Sequence, residues 1–173
     1  MCHSTPHEGC NDTQSSGAER TGASRVPALV EQGRYGAPVD EPMPGSLHHV
    51  ELWVPDLGRA VQEWGWLLAR LGYQSFQDWP DGRSWRLGDT YLVVEQSSAI
   101  TAGEHDRLRP GLNHLAFHAG PRHRVDGLAV DGPAHGWTLL FTDRHPYAGG
   151  PGHYAAYLAN TDNFEVELVA AEP

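Results

Sequence analysis

The chain has 173 residues, 39% of them hydrophobic and 20% charged, with a formal net charge of −10, 11 His and 2 Cys. That length holds one domain, or two small modules sharing a core. No apolar run approaches the ~18 residues of a membrane-spanning helix, and the excess of acid argues against nucleic acid, whose phosphates are held by clustered Arg and Lys. No basic start followed by an apolar stretch marks a secretory signal, so a cytoplasmic protein is expected.

Residues 1–45 are rich in Gly, Ser, Thr, Pro and charge and read as a flexible tail. Cys2, His3, His7 and Cys10 have spacings that a zinc ion accepts, but no apolar neighbours to order a site, and they are read as tail. Both Cys precede the folded part, so this is no disulfide scaffold. Residues 46–173 form the single domain.

At Leu47 the sequence LHHVELWV begins to alternate as a half-buried strand does, with Val50, Leu52 and Val54 on one face and His49, Glu51 and Trp53 on the other. Asp56 is placed to cap a helix in which Leu57, Val61, Trp64, Leu68 and Leu71 recur at three and four residues, closed by Gly72. Strands are predicted over 73–79, 84–87 and 91–96, separated by Asp81-Gly82 and Gly88-Asp89. The order then restarts: a strand over 112–119, a weak helix over 122–130, and strands over 138–143, 154–158 and 164–170. Gly127, Gly132 and Pro133 make that second helix the least secure element.

This is an internal repeat. HHVELWVPDL at 48–57 aligns with NHLAFHAGPR at 113–122, which sets His49 on His114. The modules span 46–98 and 111–170, each a βαβββ unit too small to bury both faces of a four-stranded sheet. Paired edge to edge they make an α+β fold, a cupped mixed sheet with helices outside and a cavity inside.

Strand alternation selects the residues that face this cavity. His49, His114 and His118 point inward, as do Glu95 and the closing-strand pair Glu165 and Glu167. Buried carboxylates without partners are costly, so a cavity collecting two His and at least two Glu asks for a cation. Ligands of this kind without thiolate suit Zn, Ni, Mn, Fe or Co.

LHHVELWVPDL, GLNHLAFHA and FEVELVA together resemble the vicinal oxygen chelate superfamily, which includes glyoxalase I, bleomycin- and fosfomycin-resistance proteins and extradiol dioxygenases. The resemblance covers 47–170. It implies metal ligands on the first and last strands of each module: His49 and Glu95 from the first, His114 and Glu167 from the second. It further implies Glu167 or Glu95 as a general base and a small-molecule substrate with neighbouring oxygens, and a homodimer is expected. The turn before the closing strand departs from the family's D-P-x-G pattern and reads Asn160-Thr161-Asp162-Asn163, where Asn can take the left-handed conformation.

The segment DRHPYAGGPGHYAAYL supplies Arg144, His145, Tyr147, His153 and Tyr157 around a Gly-rich loop, and with Trp53, His118 and Glu165 these are the expected substrate-side residues. The leading function is a small metal-dependent glyoxalase-type enzyme working by proton transfer. The alternatives are a metal-free protein that sequesters an antibiotic-like ligand and an Fe(II) ring-cleaving dioxygenase.

Overall fold

A computed structural model describes residues 42–101 and 105–171. The expected tail, and with it the Cys2–Cys10 cluster, falls almost wholly outside the described residues.

The first module runs β1 (His49–Trp53), α1 (Leu57–Arg70), β2 (Gln74–Trp79), β3 (Gly82–Leu87) and β4 (Thr90–Glu95). The second runs β5 (His114–Gly120), α2 (Arg122–Asp131), a 3-10 turn (Gly132–His135), β6 (Thr138–Leu139), β7 (Ala155–Ala159) and β8 (Glu165–Ala170). Each module folds into its own four-stranded mixed sheet, in the orders β1-β4-β3-β2 and β5-β8-β7-β6. In both, the first and last strands lie side by side in parallel while the remaining pairs are antiparallel. The repeat read from the sequence is therefore a repeat of topology.

Helix α1 forms as its periodicity dictates. Asp56 accepts a hydrogen bond from the Arg59 amide at 3.0 Å, satisfying one of the orphan donors of the first turn. At the other end Gly72 takes φ 94, and the Gly72 and Tyr73 amides bond back to Ala69 and Leu68 at 3.1 and 2.9 Å, the pattern of a left-handed helix cap. Trp64, Leu67 and Leu68 are fully buried, and the helix packs on β3 and β4. Helix α2 packs on β5, β7 and β8. It has no side-chain cap, consistent with its weak sequence signal.

Strand β6 is much shorter than the expected 138–143. Phe141 adopts φ 51, a left-handed conformation incompatible with a continuing strand, and the chain turns there. The unusual closing turn does what its Asn residues allow. Asn163 takes φ 64, and the Asn160 side-chain oxygen accepts from the amides of Asp162 and Phe164 at 3.1 and 2.9 Å.

Within the chain the modules are joined through their helices and this turn. The Trp137 indole is buried edge-on to Trp64 at 5.1 Å and donates to the Glu63 carbonyl at 3.1 Å. Glu63, buried on α1, accepts from Asn160 at 2.9 Å and from the Thr161 hydroxyl at 2.5 Å. Arg59 reaches Asp162 at 2.5 Å. The sequence placed no function on Glu63.

Candidate functional site

The closing strand carries two buried carboxylates. Val166 and Leu168 enter the core beside Val125 and Leu128, so Glu165 and Glu167 project from the opposite face of β8. The β5–β8 ladder sets Glu165 opposite His114 and Glu167 opposite Ala116. Both carboxyls are almost fully buried, at 3% and 7% exposure, and burial at that level demands partners.

Glu167 has three. The His153 ring nitrogen Nε2 stands 2.5 Å from one carboxylate oxygen, and the Tyr157 hydroxyl donates to that same oxygen. His114 Nε2 lies 3.3 Å from the other oxygen. Burial alone would raise the Glu167 pKa, but the hydrogen bonds from Tyr157 and His153 and the nearby histidines outweigh it, and the group is held below its ordinary value. The same contact works on Tyr157 in the other direction: burial and the carboxylate push its hydroxyl well above the usual tyrosine range. It stays a donor.

His114 is oriented from behind. Its Nδ1 lies 2.8 Å from the Asn113 side-chain oxygen, while the Asn113 amide nitrogen donates to the Arg107 carbonyl at 3.0 Å. With its amide so arranged, Asn113 can only accept from the ring, so Nδ1 bears a proton and, in the neutral ring, Nε2 presents a lone pair toward Glu167. Two acceptors facing each other at 3.3 Å repel unless a proton or a cation lies between them.

Glu165 is held differently. Burial raises its pKa and Arg107 opposes that shift. Arg107 Nε sits 2.9 Å from the carboxylate, within ion-pair distance though off the line of a hydrogen bond. The loop before β7 fits tightly over these groups. A Cβ added at Gly149 would come within 2.5 Å of the His153 ring and 2.7 Å of the Tyr157 hydroxyl, so only glycine lets the loop pass.

The first module is built otherwise. His49 stacks on Tyr91 with centroids 4.9 Å apart, and its Nδ1 lies 2.9 Å from that of His48. Phe76 adds a tilted contact to Tyr91 at 5.4 Å. Glu95 pairs with Trp53 at the other end of the β1–β4 ladder, four residues from His49 and roughly 13 Å along the strand. Side chains stand perpendicular to a sheet, so this module does not bring His49 and Glu95 together. The repeat that puts His49 on His114 puts Val93, not Glu95, at the position of Glu167. Among the described residues, no group of three His, Cys, Asp or Glu from one chain is arranged to hold a metal.

Of the expected substrate-side residues, His153, Tyr157 and Glu165 gather beside Glu167. Trp53 instead lines a concavity of about 430 Å³ along β1 with His105, Leu112 and Phe164, and donates to Glu51 at 2.8 Å. Arg144 stands over the Phe141 ring at 4.8 Å, and Phe141 meets Tyr157 edge-on at 5.5 Å. Tyr147 packs against Tyr154 at 5.6 Å. His145 Nδ1 is buried without a partner, and His118 is exposed. Sequence reasoning missed Arg107, Asn113 and Phe141. Only Asn113, directly preceding the aligned His114, carried a local signal.

A family model described as the Glyoxalase/Bleomycin resistance protein/Dioxygenase superfamily matches residues 48–157. The uncharacterized Bacillus subtilis protein YqjT is 46% identical over 125 residues, covering 72% of this chain and 98% of its own. A Bacillus halodurans protein described as a candidate glyoxalase shares 44% identity and a TM-score of 0.71 over 74% of this chain and 97% of that one. A glyoxalase/bleomycin resistance protein from Albidiferax ferrireducens, at 20% identity and TM-score 0.59, covers 73% of this chain and 98% of its own, and it shares the fold.

Proposed function

Since the chain belongs to the glyoxalase/bleomycin resistance protein/dioxygenase superfamily, we propose that it is a metal-dependent enzyme that moves a proton on a small substrate with neighbouring oxygens. The observation that carries this reading is the His114–Glu167 pair: an oriented Nε2 lone pair and an ionised carboxylate facing each other at 3.3 Å. Their chemistry fits a divalent Zn, Ni, Mn, Fe or Co ion.

One chain supplies only these two donors at this place, and His49 of a second copy is the third. The free edges of β1 and β5, each paired on one side only among the described residues, give a homodimer the means to set the first module of one chain beside the second module of the other. Glu95, at the far end of its ladder, is assigned to the substrate side.

A bound ion would act as a Lewis acid on the substrate oxygens. The protein groups do the remainder. Glu167 is ionised at neutral pH and takes a proton from the substrate carbon. His153, 2.5 Å from the same carboxyl, and the Tyr157 hydroxyl keep the carboxylate in place.

Elemental analysis of untagged protein tests the reading. About one transition metal per pair of open modules is expected, lost in His114→Ala and in Glu167→Gln with circular dichroism unchanged. A second reading rests on the aromatic surface of the first sheet, where His49 stacks on Tyr91 and Phe76 meets Tyr91 at a tilt: a metal-free protein that sequesters a flat ligand. Careful purification that yields no metal supports that second reading and rejects the first.

A further inference from the structure

Phe141 is the strained residue of the second module. Its left-handed backbone (φ 51) is unfavourable for a bulky side chain. The turn that holds it is closed by the Arg144 and His145 amides, which donate to the Phe141 carbonyl at 2.9 and 2.8 Å. This turn seats the ring edge-on to Tyr157, the residue that donates to Glu167. Two guanidinium groups lie over the same ring, Arg144 at 4.8 Å and Arg107 at 5.8 Å.

Neither cation is saturated. Arg107 faces Glu165 through Nε, and among the described residues its two terminal amino groups have no partner. Arg144 is more than half exposed and stands 3.8 Å from an exposed Asp143, a contact of little energetic weight. A guanidinium on an aromatic face is held in orientation while its in-plane N–H groups stay free to donate. Elsewhere the site is balanced: Glu165 faces Arg107, and Glu167 faces two histidines and a phenol. In a chain of net charge −10, an anion reaches this site only if local cations offset the overall repulsion.

We propose that Arg107 and Arg144, standing over Phe141 beside the Glu167 site, form an anion-binding subsite that takes the carboxylate or phosphonate of the substrate. The enzyme then acts on small oxygenated acids, not on neutral carbonyl compounds. This rests on the proposed function in placing the reacting centre at Glu167, and it adds what the substrate carries at its other end.

The test measures binding of benzoate, phenylphosphonate and the neutral acetophenone by calorimetry, on full-length protein dialysed against a chelator. Removing metal keeps a direct phosphonate–metal bond out of the comparison. The wild type is expected to hold at least one of the two anions about tenfold more tightly than acetophenone, and the tighter anion identifies the group. Arg144→Gln, at a more than half-exposed position, is expected to remove that preference and leave acetophenone unchanged; Arg107→Gln should do the same wherever its circular dichroism remains native. Equal affinity of the wild type for acetophenone and both anions, or anion binding unchanged in Arg144→Gln, overturns the proposal. Because no metal takes part, these outcomes are independent of whether the protein as purified contains one.

Discussion

Glu167 is held by two donors, Tyr157 and His153, that prefer it charged. Its pKa is depressed in the folded chain despite burial, so the sign of its contribution to stability follows. That contribution is present above the ordinary carboxylate value and is lost as the pH falls through the lower, folded one. Glu167→Gln removes it at neutral pH, where the loss of hydrogen bonds to a charged acceptor is worth about 1–3 kcal/mol. In acid the wild-type carboxyl is protonated too. Thermal melts of both proteins between pH 3 and 7 should therefore diverge at neutral pH and converge toward pH 3; a gap independent of pH would show that the charge of Glu167 is not what stabilises it. Alternation along FEVELV made this residue legible, because both faces of β8 are buried and only polar groups needing partners break the apolar pattern. Arg107 was not legible. It reaches Glu165 from the segment between the modules, and nothing in its local sequence encodes a contact 58 residues away in the chain. The pairing of His49 with Glu95 came from the family resemblance; alternation gave only the face each residue takes, not its position along the strand.

At the scale of elements, the periodic residues of α1 and the restart of the βαβββ pattern were readable because each depends on nearest neighbours in sequence. The joint between α1 and the closing turn was not. Glu63 lies in the middle of that helix and looks like a solvated helix carboxylate, yet its partners Asn160 and Thr161 come from the far end of the chain. Burial raises its pKa, and the Thr161 hydrogen bond opposes the shift. Gly136 lies so close that an added Cβ would stand 2.6 Å from the Glu63 carboxyl. Replacing Glu63 by Ala leaves the buried Asn160 amide without its acceptor and removes the partner of the exposed Thr161 hydroxyl, for an expected loss of about 1–3 kcal/mol in denaturant unfolding. The sign with pH is opposite to that of Glu167. A raised folded pKa gives a contribution that is full below the ordinary carboxylate value and declines as the pH rises through the elevated one. The destabilisation by Glu63→Ala should accordingly be larger at pH 4 than at pH 8, and equal losses at the two values would place Glu63 outside the titrating joint.

At the scale of the molecule, the sequence made two matched modules legible but not the way they meet. Edge-to-edge pairing was the expectation, within one chain or between two. Inside one chain the modules instead meet through α1, the 3-10 turn and the Asn160–Asn163 turn, and each module keeps its own four-stranded sheet. Hydrophobic alternation fixes which face of a strand is buried, whereas the choice of neighbour for an outer edge is left to tertiary contacts.

This arrangement can be tested with copies that are each defective. Consider a dimer in which each site takes His49 from one chain and His114 with Glu167 from the other. A dimer of His49→Ala alone has no intact site, nor does one of His114→Ala alone. When the two variants are mixed, unfolded together and refolded, half of the dimers are expected to be heterodimers. In each heterodimer one site carries both substitutions and the other carries neither. Metal content measured on the mixture should rise from near zero to about a quarter of the wild-type value, and isolated heterodimers, separated by different affinity tags, should hold about half. If His49 instead joined His114 within the same chain, every chain of the heterodimer would still be defective, and no metal would return at any mixing ratio. Sedimentation equilibrium on the same samples decides whether a dimer forms at all. A monomer that binds a full complement of metal would leave His49 of a second copy without a role.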